Sequence, residues 1–165
     1  METEDKPSPQ GFNTTNILST YTQIIYQIVF GTKYRKPVLT KTNREELFKY
    51  IWGIIKSKKC HLYRINGVED HQHIVTHLHP SVALSSLVKD IKVASSIFIK
   101  EKNLFEGFVG WQDGYGAFTY TIKEKDRLIA YVKNQEEHHR KKTFKDEYIE
   151  LLKEHGVDYD EKYLL

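Results

Sequence analysis

The sequence has little cysteine, little proline and no long apolar run. A single cysteine, Cys60, excludes an internal disulfide and a cysteine-based zinc finger. No apolar segment approaches the roughly 18–20 residues that a membrane-spanning helix needs, which excludes a transmembrane protein. The first 16 residues contain no basic segment followed by an apolar one, which excludes a secretory signal. Together these absences predict a cytoplasmic protein.

The composition is that of one globular domain. The chain has 165 residues, of which 39% are hydrophobic and 28% are charged. Residues 1–16 are rich in Pro, Ser, Thr and Asn and lack apolar periodicity, which predicts a flexible leader before a single domain over residues 17–165. The formal net charge of +3 permits a nucleic-acid partner but does not by itself argue for one.

Alternating and helical apolar patterns predict an α+β fold. Strands are predicted over residues 21–30, 60–65, 71–78 and 117–120. Helices are predicted over residues 42–58, from residue 84 through 98, from residue 121 to 139, and over 143–155. Thr42 with Glu45 and Thr121 with Glu124 form the capping-box pattern at two of the helix starts. The order indicates a ferredoxin-like (split βαβ) antiparallel sheet with helices on one face, plus extra C-terminal helices, and the other face free for a ligand.

Two histidines in the third predicted strand are the first candidate site. His71 and His73 lie two residues apart, so their side chains share one face of the strand. Two neighbouring imidazoles suit two ligands of one metal ion. His77 and His79 continue the same alternation. The plainer interpretation is a polar strand face with solvated histidines, so the pair needs support from elsewhere.

A tyrosine and a glutamine in the third predicted helix offer that support. Tyr131 and Gln135 stand four residues apart and therefore lie on one helical face. A tyrosine phenol can act as a covalent nucleophile, and an amide oxygen can complete a metal site. The alternative is that Tyr131 packs on the core with its hydroxyl at the surface while Gln135 is solvated.

These residues stand in three segments that together resemble a known family. The segments are residues 71–73 (HQH), residues 110–118 (GWQDGYGAF) and residues 131–139 (YVKNQEEHH), and residues 21–30 add a similar first strand. In this order they resemble the small single-tyrosine transposases of the HUH nuclease superfamily, the IS-two-hundred-like insertion-sequence group. The resemblance covers about residues 18–155 and implies the ferredoxin-like core that the periodicity also predicts. Gln72 departs from the pattern, because the residue between the two histidines is usually bulky and apolar.

The resemblance implies a specific chemistry for these residues. Tyr131 attacks a DNA phosphate and leaves a 5′-phosphotyrosine link and a free 3′-hydroxyl, so that strand joining needs no ATP. His71, His73 and Gln135 hold one divalent ion, Mg²⁺ or Mn²⁺, and as neutral ligands they leave its full charge for the phosphate. Asp70 and His139 are candidates to orient these ligands, or else a turn acid and a surface histidine.

Other residues are candidates for contact with DNA. Basic clusters occur at residues 33–36, 56–59 and 140–142, and each can also be an ordinary solvated surface. Tyr34, Trp111 and Tyr115 are candidates to stack on unpaired bases, although a tryptophan more often belongs to the core. The resemblance implies single-stranded or hairpin DNA as the substrate.

The sequence also suggests how the chain assembles and leaves an alternative function. The mixed face of the first strand, with Ile25 and Val29 among Gln23 and Gln27, favours a partly buried interface and therefore a homodimer. By resemblance, the helix with Tyr131 serves the histidines of a partner chain in that dimer. A non-catalytic or domesticated protein that binds nucleic-acid hairpins is the alternative function.

Overall fold

The computed structural model describes residues 20–164, and the leader predicted for residues 1–16 lies outside this range. The strands are β1 (Ile25–Gly31), β2 (His61–Gly67), β3 (His71–His77) and β4 (Gly116–Tyr120). The helices are α1 (Lys41–Ser57), α2 (Leu84–Lys102), α3 (Lys125–Lys133), α4 (Gln135–His139) and α5 (Phe144–Glu154). No helix within residues 20–164 is both long and apolar enough to cross a membrane.

The four strands form one antiparallel sheet in the order β2-β3-β1-β4. Strand β3 lies between β1 and β2, which is the split βαβ arrangement, so the predicted α+β fold class is confirmed. The register places Val29 opposite His73 and Gly31 opposite His71. On the other side of β1, Gln27 is opposite Phe118 of β4. The central pair of strands therefore carries the two predicted histidines in the middle of the sheet.

One face of the sheet packs against α1 and α2. Ile28 and Phe30 of β1 and Ile74 of β3 point to this face and are fully buried. The helices supply buried residues at helical spacing, namely Leu47, Ile51, Ile55, Leu87, Val88 and Ile91. Each such side chain contributes about 1.5–3 kcal/mol by its burial, so this layer provides much of the stability of the domain.

The second face is covered by α3 and α5, whereas the sequence predicted that it would be free. Ile25 and Val75 pack with Leu128 and Val132 of α3. Val29 and Phe118 pack with four residues of α5, Phe144, Tyr148, Leu151 and Leu152. A Cβ on Gly116 would lie 2.6 Å from the Tyr148 ring, so this glycine lets α5 approach β4. The extra C-terminal helices thus form a second packing layer on the sheet.

The argument for a dimer from the second face of β1 is therefore wrong. Ile25, Gln27 and Val29 are fully buried by helices of their own chain. A partner chain is not needed to remove these apolar groups from water.

Several predicted boundaries also shift. Strand β1 begins at Ile25 rather than at residue 21. The predicted capping box of Thr42 and Glu45 is wrong, because α1 begins two residues earlier than it requires. The N-cap is Thr40, whose side chain makes no capping hydrogen bond. The second capping box is confirmed, since the backbone N–H of Thr121 donates to Glu124 (2.9 Å). The predicted helix through residue 139 is broken at Asn134 into α3 and α4.

Candidate active site and metal centre

Strand β3 presents its two histidines to the buried second face. His71 and His73 have no exposed surface, and their ring centroids are 5.2 Å apart. Nδ1 of His71 lies 2.7 Å from Oδ1 of Asp70, and Nδ1 of His73 lies 2.9 Å from the Gln27 amide nitrogen. Tyr120 holds that amide in turn, because its hydroxyl donates to Gln27 Oε1 (2.6 Å). With Nδ1 held in both rings, Nε2 of each points toward the helices. For His71 the carboxylate of Asp70 accepts from Nδ1–H, as in histidine metal ligands, whereas Nε2 of His73 can bind a metal only when the Gln27 amide is turned so that its oxygen accepts from Nδ1–H.

Helix α3 brings Tyr131 to the same place. The Asn66 side chain of β2 donates to the carbonyl oxygens of Val132 (3.1 Å) and Lys133 (2.9 Å), which caps the C-terminal end of α3 and fixes it to the sheet. The Tyr131 ring lies edge-on to His73, with centroids 6.0 Å apart. Gln135 is fully buried at the start of α4, beyond the break at Asn134. The single helical face expected for Tyr131 and Gln135 is therefore interrupted, yet both side chains reach one site.

Glu147 of α5 stands at the centre of this site, and sequence reasoning missed it. The Tyr131 hydroxyl donates a hydrogen bond to its Oε1, and Gln135 Nε2 donates to the same oxygen (3.1 Å). The other oxygen, Oε2, lies 2.7 Å from Nε2 of His139. Only 1% of the Glu147 side chain is exposed. A signal existed in the sequence, because Glu147 falls on the apolar face that Phe144 and Leu151 define, where a lone acid is unusual.

The same carboxylate faces both strand histidines. Oε2 of Glu147 lies 3.3 Å from Nε2 of His71 and 3.4 Å from Nε2 of His73. Within residues 20–164, neither Nε2 atom has a partner in hydrogen-bond geometry, although both are buried. Oε1 of Gln135 is likewise buried and unpartnered within the described residues. Buried polar atoms normally have hydrogen-bond partners. These three atoms have none and face the same point, which indicates a binding site for a further group.

A metal ion fits these atoms. One ligand atom from each of His71, His73, His139 and Glu147 can be chosen so that all lie within 4.8 Å of one another. The sequence predicted His71, His73 and Gln135 as ligands, and the unpartnered atoms of these three side chains are the ones that would bind the ion. Glu147 places a carboxylate beside the neutral groups that the resemblance implies as ligands. Imidazoles with one carboxylate suit Mn²⁺ or Zn²⁺ as well as Mg²⁺.

The charges in the cluster shift several pKa values. Burial alone would raise the pKa of Glu147, but the contact with His139 and the close approach of the His71 and His73 rings outweigh it and hold this pKa below its usual range. Burial lowers the pKa of His73. For His71 the hydrogen bond to Asp70 and the nearby charge of Glu147 overcome the effect of burial and raise its pKa. Burial and the negative charge of Glu147 raise the pKa of Tyr131, so its phenol is protonated at neutral pH.

Tyr131 is half-buried and opens onto a cleft of about 620 Å³. Arg127, Lys141 and Lys142 line this cleft together with one acid, Glu137, so its lining is positive by two charges. Arg127 is paired with Glu124 (3.1 Å) and Lys142 with Glu150. A phosphate backbone in the cleft would therefore meet positive charge beside the phenol. Asp70 and His139, the two candidate orienting residues, both belong to the cluster, whereas His77 and His79 do not. His77 accepts a hydrogen bond from the Ile24 N–H (3.2 Å), and His79 lies beyond the end of β3.

The other sequence candidates are distributed over the molecule. Trp111 belongs to the core, since its indole N–H donates to Ser95 Oγ (2.9 Å) and only 7% of its surface is exposed. The prediction that Trp111 stacks on a base is therefore wrong. Tyr115 is half-buried with the Lys92 ammonium near its ring, and Tyr34 is exposed. In the second basic cluster Lys58 is paired with Asp90, and in the third Arg140 is paired with Glu137 (3.1 Å).

Comparisons with known proteins agree with this geometry. Residues 20–135 match the family described as "Transposase IS200 like". No curated protein matches the chain. Among solved structures, a Deinococcus radiodurans R1 protein assigned as a transposase aligns with TM-score 0.56 and 20% identity, over 73% of this chain and 98% of that one. A tyrosine transposase associated with REP sequences, solved with a REP hairpin, aligns with TM-score 0.52 and 15% identity, over 71% and 72% of the two chains.

The two structural likenesses show a shared fold. The family match begins five residues before β1, ends at Gln135, and therefore includes both strand histidines and Tyr131. It covers well over half of the sequence, and the chain belongs to the IS200-like transposase family.

Proposed function

We propose that this transposase is a cytoplasmic, metal-dependent endonuclease and strand transferase for single-stranded DNA, acting at hairpins of an insertion sequence. The observation that carries the proposal is the convergence of His71, His73, Gln135 and the Tyr131 hydroxyl on one buried carboxylate. Tyr131 is the proposed nucleophile, and the cations of the adjoining cleft are the proposed contacts of the scissile strand. The hairpin-bound relative supports hairpin DNA as the substrate class.

Cleavage then proceeds by transfer of the phosphoryl group to the tyrosine. The Tyr131 oxygen bonds to the scissile phosphorus, and its proton leaves toward Glu147, which already accepts its hydrogen bond. The bond from phosphorus to the 3′-oxygen breaks, and that oxygen takes a proton from water. The products are a 5′-phosphotyrosine and a 3′-hydroxyl, and attack by a 3′-hydroxyl in the reverse direction joins strands without ATP.

The chain's own residues prepare this step. His71, His73 and Gln135, joined by Glu147, are the proposed ligands of a divalent ion, which would supply positive charge to the phosphate when bound. Asp70 and Gln27 fix the orientation of the two imidazoles. Glu147 holds the phenol of Tyr131 in one position, which reduces the freedom that must be lost before attack.

The experiment is to trap the covalent intermediate. Wild-type protein, Mn²⁺ and a single-stranded hairpin oligonucleotide labelled at its 3′ end should give a protein–DNA adduct on a denaturing gel. The Tyr131→Phe variant, which loses one oxygen atom, should give no adduct and should bind the DNA within a few-fold of wild type. Tyr115→Phe is the matched control and should form the adduct normally. An adduct from the Tyr131→Phe protein, or its persistence in excess chelator, refutes the mechanism.

A homodimer, as the resemblance implies, is the proposed assembly. The Tyr131 ring lies 6.0 Å from the His73 ring of the same chain, which supports a complete set of the proposed groups in each protomer. The mass in solution, with and without hairpin DNA, tests the dimer. A mixture of Tyr131→Phe and His71→Ala/His73→Ala proteins, allowed to exchange subunits, should stay inactive, whereas recovered cleavage would show that the sites are shared between chains.

A further inference from the structure

The segment between β1 and α1 forms an exposed basic loop, which we define as Lys33, Tyr34, Arg35 and Lys36. The Tyr34 side chain is 77% exposed and packs on no core residue. Its recorded ring neighbour is the Lys33 ammonium, 5.6 Å from the ring centroid. No aspartate or glutamate occurs between residues 20 and 44, and within the described chain none of the three cations of the loop has a carboxylate partner. The loop therefore presents an unpaired positive field around a free aromatic ring.

Hydrogen bonds hold the backbone of this loop in an unusual conformation. Tyr34 and Arg35 both have left-handed backbone angles, with φ of 60° and 51°, which are unfavourable for residues other than glycine. Hydrogen bonds maintain this conformation, because the Thr32 hydroxyl donates to the Lys36 carbonyl (2.7 Å) and the Lys33 N–H donates to the Gly110 carbonyl (2.8 Å). This conformation costs free energy, and the exposed Tyr34 ring adds no burial to the core in return. We therefore look for a ligand of the ring outside the chain.

The loop adjoins the candidate active site. It follows Gly31, which lies opposite His71 in the β1–β3 ladder. The Thr32 N–H donates to the carbonyl of Asp70 (2.8 Å), and the carboxylate of Asp70 bonds to His71. A strand that passes over the loop is therefore at the end of the sheet where the proposed metal centre lies.

We infer that this loop binds unpaired DNA, with the Tyr34 ring stacked on a base and Lys33, Arg35 and Lys36 against the phosphates. The inference rests on the proposed function, because it assigns a contact of that substrate. Stacking on an aromatic ring is tolerant of sequence, and unpaired lysine and arginine side chains neutralise phosphates, so the loop suits a single strand better than a duplex. An exposed ring surrounded by cations fits a protein partner less well, since interface cores are depleted of charge.

The test compares Tyr34 with an equally exposed tyrosine elsewhere. Tyr163 is 78% exposed, also has a lysine over its ring (4.6 Å), but stands beside Asp160 and Glu161. Binding of fluorescein-labelled dT20 and of a 20-base-pair blunt duplex is measured by anisotropy across a salt series. Tyr34→Ala should weaken dT20 binding about 10-fold, while Tyr34→Phe and Tyr163→Ala should bind as wild type. Circular dichroism confirms that each variant is folded.

The salt series separates phosphate contacts from stacking. Lys33→Gln should lower the slope of log affinity against log salt by about 0.7 for dT20, the value for one single-strand phosphate contact. Tyr34→Ala should leave this slope unchanged. Duplex binding should be the same for Tyr34→Ala and wild type.

Three results would overturn the inference. They are unchanged dT20 affinity of Tyr34→Ala, an equal loss from Tyr163→Ala, and an equal loss for duplex and single strand. The covalent-adduct assay at saturating DNA keeps this outcome distinct from the proposed function. If wild type forms no adduct, the mechanism fails while the loop affinities still decide the binding site. If wild type forms the adduct and Tyr34→Ala keeps full affinity, only the loop assignment fails.

Discussion

The two faces of the sheet are formed by the same strands but differ in polarity. Strand β3 sends Ile74 to the face of α1 and α2, which is an apolar core, and sends His71 and His73 to the face of α3 and α5. Each face also buries a glutamine. Gln27 on the second face bonds to His73 and Tyr120, whereas both amide atoms of Gln72 on the first face have no partner within residues 20–164. Alternate residues of one strand thus supply the apolar core on one face and the candidate site on the other. A buried amide has hydrogen-bond partners on the site face and lacks them on the core face.

The largest effects are expected from the histidines of the second face. His71→Ala and His73→Ala each remove a proposed ligand and should reduce DNA cleavage at least about 1,000-fold, as an excess of chelator should. Cleavage rates of a hairpin oligonucleotide in Mn²⁺ measure this loss. His79→Ala is the matched control, because this histidine follows the same strand but lies outside the cluster. Equal losses in His79→Ala would indicate a folding defect rather than a ligand effect.

Glu147 should prove to be part of the metal centre. Glu147→Gln keeps the shape of the side chain but removes its charge, and it should weaken Mn²⁺ binding at least about 10-fold. Calorimetric titration of Mn²⁺ into metal-free protein gives the affinity. Glu150→Gln changes an exposed carboxylate on the same helix and should leave the affinity unchanged. Equal Mn²⁺ affinity of wild type and Glu147→Gln would restrict Glu147 to holding the histidines and Tyr131.

The two buried glutamines of the central strands, Gln27 and Gln72, should respond to the same substitution with opposite signs. Gln27→Met leaves the His73 Nδ1 and the Tyr120 hydroxyl without partners and should lower the free energy of unfolding by about 1–3 kcal/mol. Gln72→Met removes two unsatisfied amide atoms from an apolar layer and should raise it by about 1 kcal/mol. Urea unfolding measures both, with the exposed Gln23→Met as control. A loss of stability in Gln72→Met would show that its amide has an unrecognised partner.

The acid side of the stability curve should depend on Glu147. The folded protein keeps this carboxyl ionised below its ordinary pKa of 4.5, so the unfolded chain binds the extra proton as the pH falls. The contribution of Glu147 is therefore present above pH 4.5 and is lost progressively below it. In metal-free protein, urea unfolding between pH 6 and pH 3.5 should show a shallower decline for Glu147→Gln than for Glu150→Gln. Parallel declines would mean that the His–Glu147 contacts do not stabilise the fold.

Local patterns predicted much of the fold and part of the site. Alternation in β3 placed His71 and His73 on one face, and it also placed Gln72 toward the packed side, opposite the metal candidates. Thr121 with Glu124 marked a true turn because its partners are three residues apart. These features depend on neighbours in the sequence, which periodicity and spacing report directly.

Features that depend on distant contacts were missed. Glu147 reaches His71 because α5 folds back over the sheet, and no local pattern specifies where a C-terminal helix docks. The start of α1 was misplaced by two residues, and Asn43 in its first turn donates to the Leu104 carbonyl (2.7 Å), a contact with the chain after α2. The break at Asn134 likewise separates Tyr131 from Gln135, although their spacing suits one helix. The docking of α5 on the sheet is a tertiary contact, which local preference does not report.

The most direct measurement of the central claim is the position of Mn²⁺ by anomalous X-ray diffraction. The account predicts one strong peak within about 2.5 Å of Nε2 of both His71 and His73, with Glu147 and Gln135 as further ligands and Tyr131 of the same chain beside it. A peak elsewhere, no peak at saturating Mn²⁺, or a peak at these histidines with Tyr131 supplied by another chain would contradict a complete metal-dependent site on the second face of one sheet.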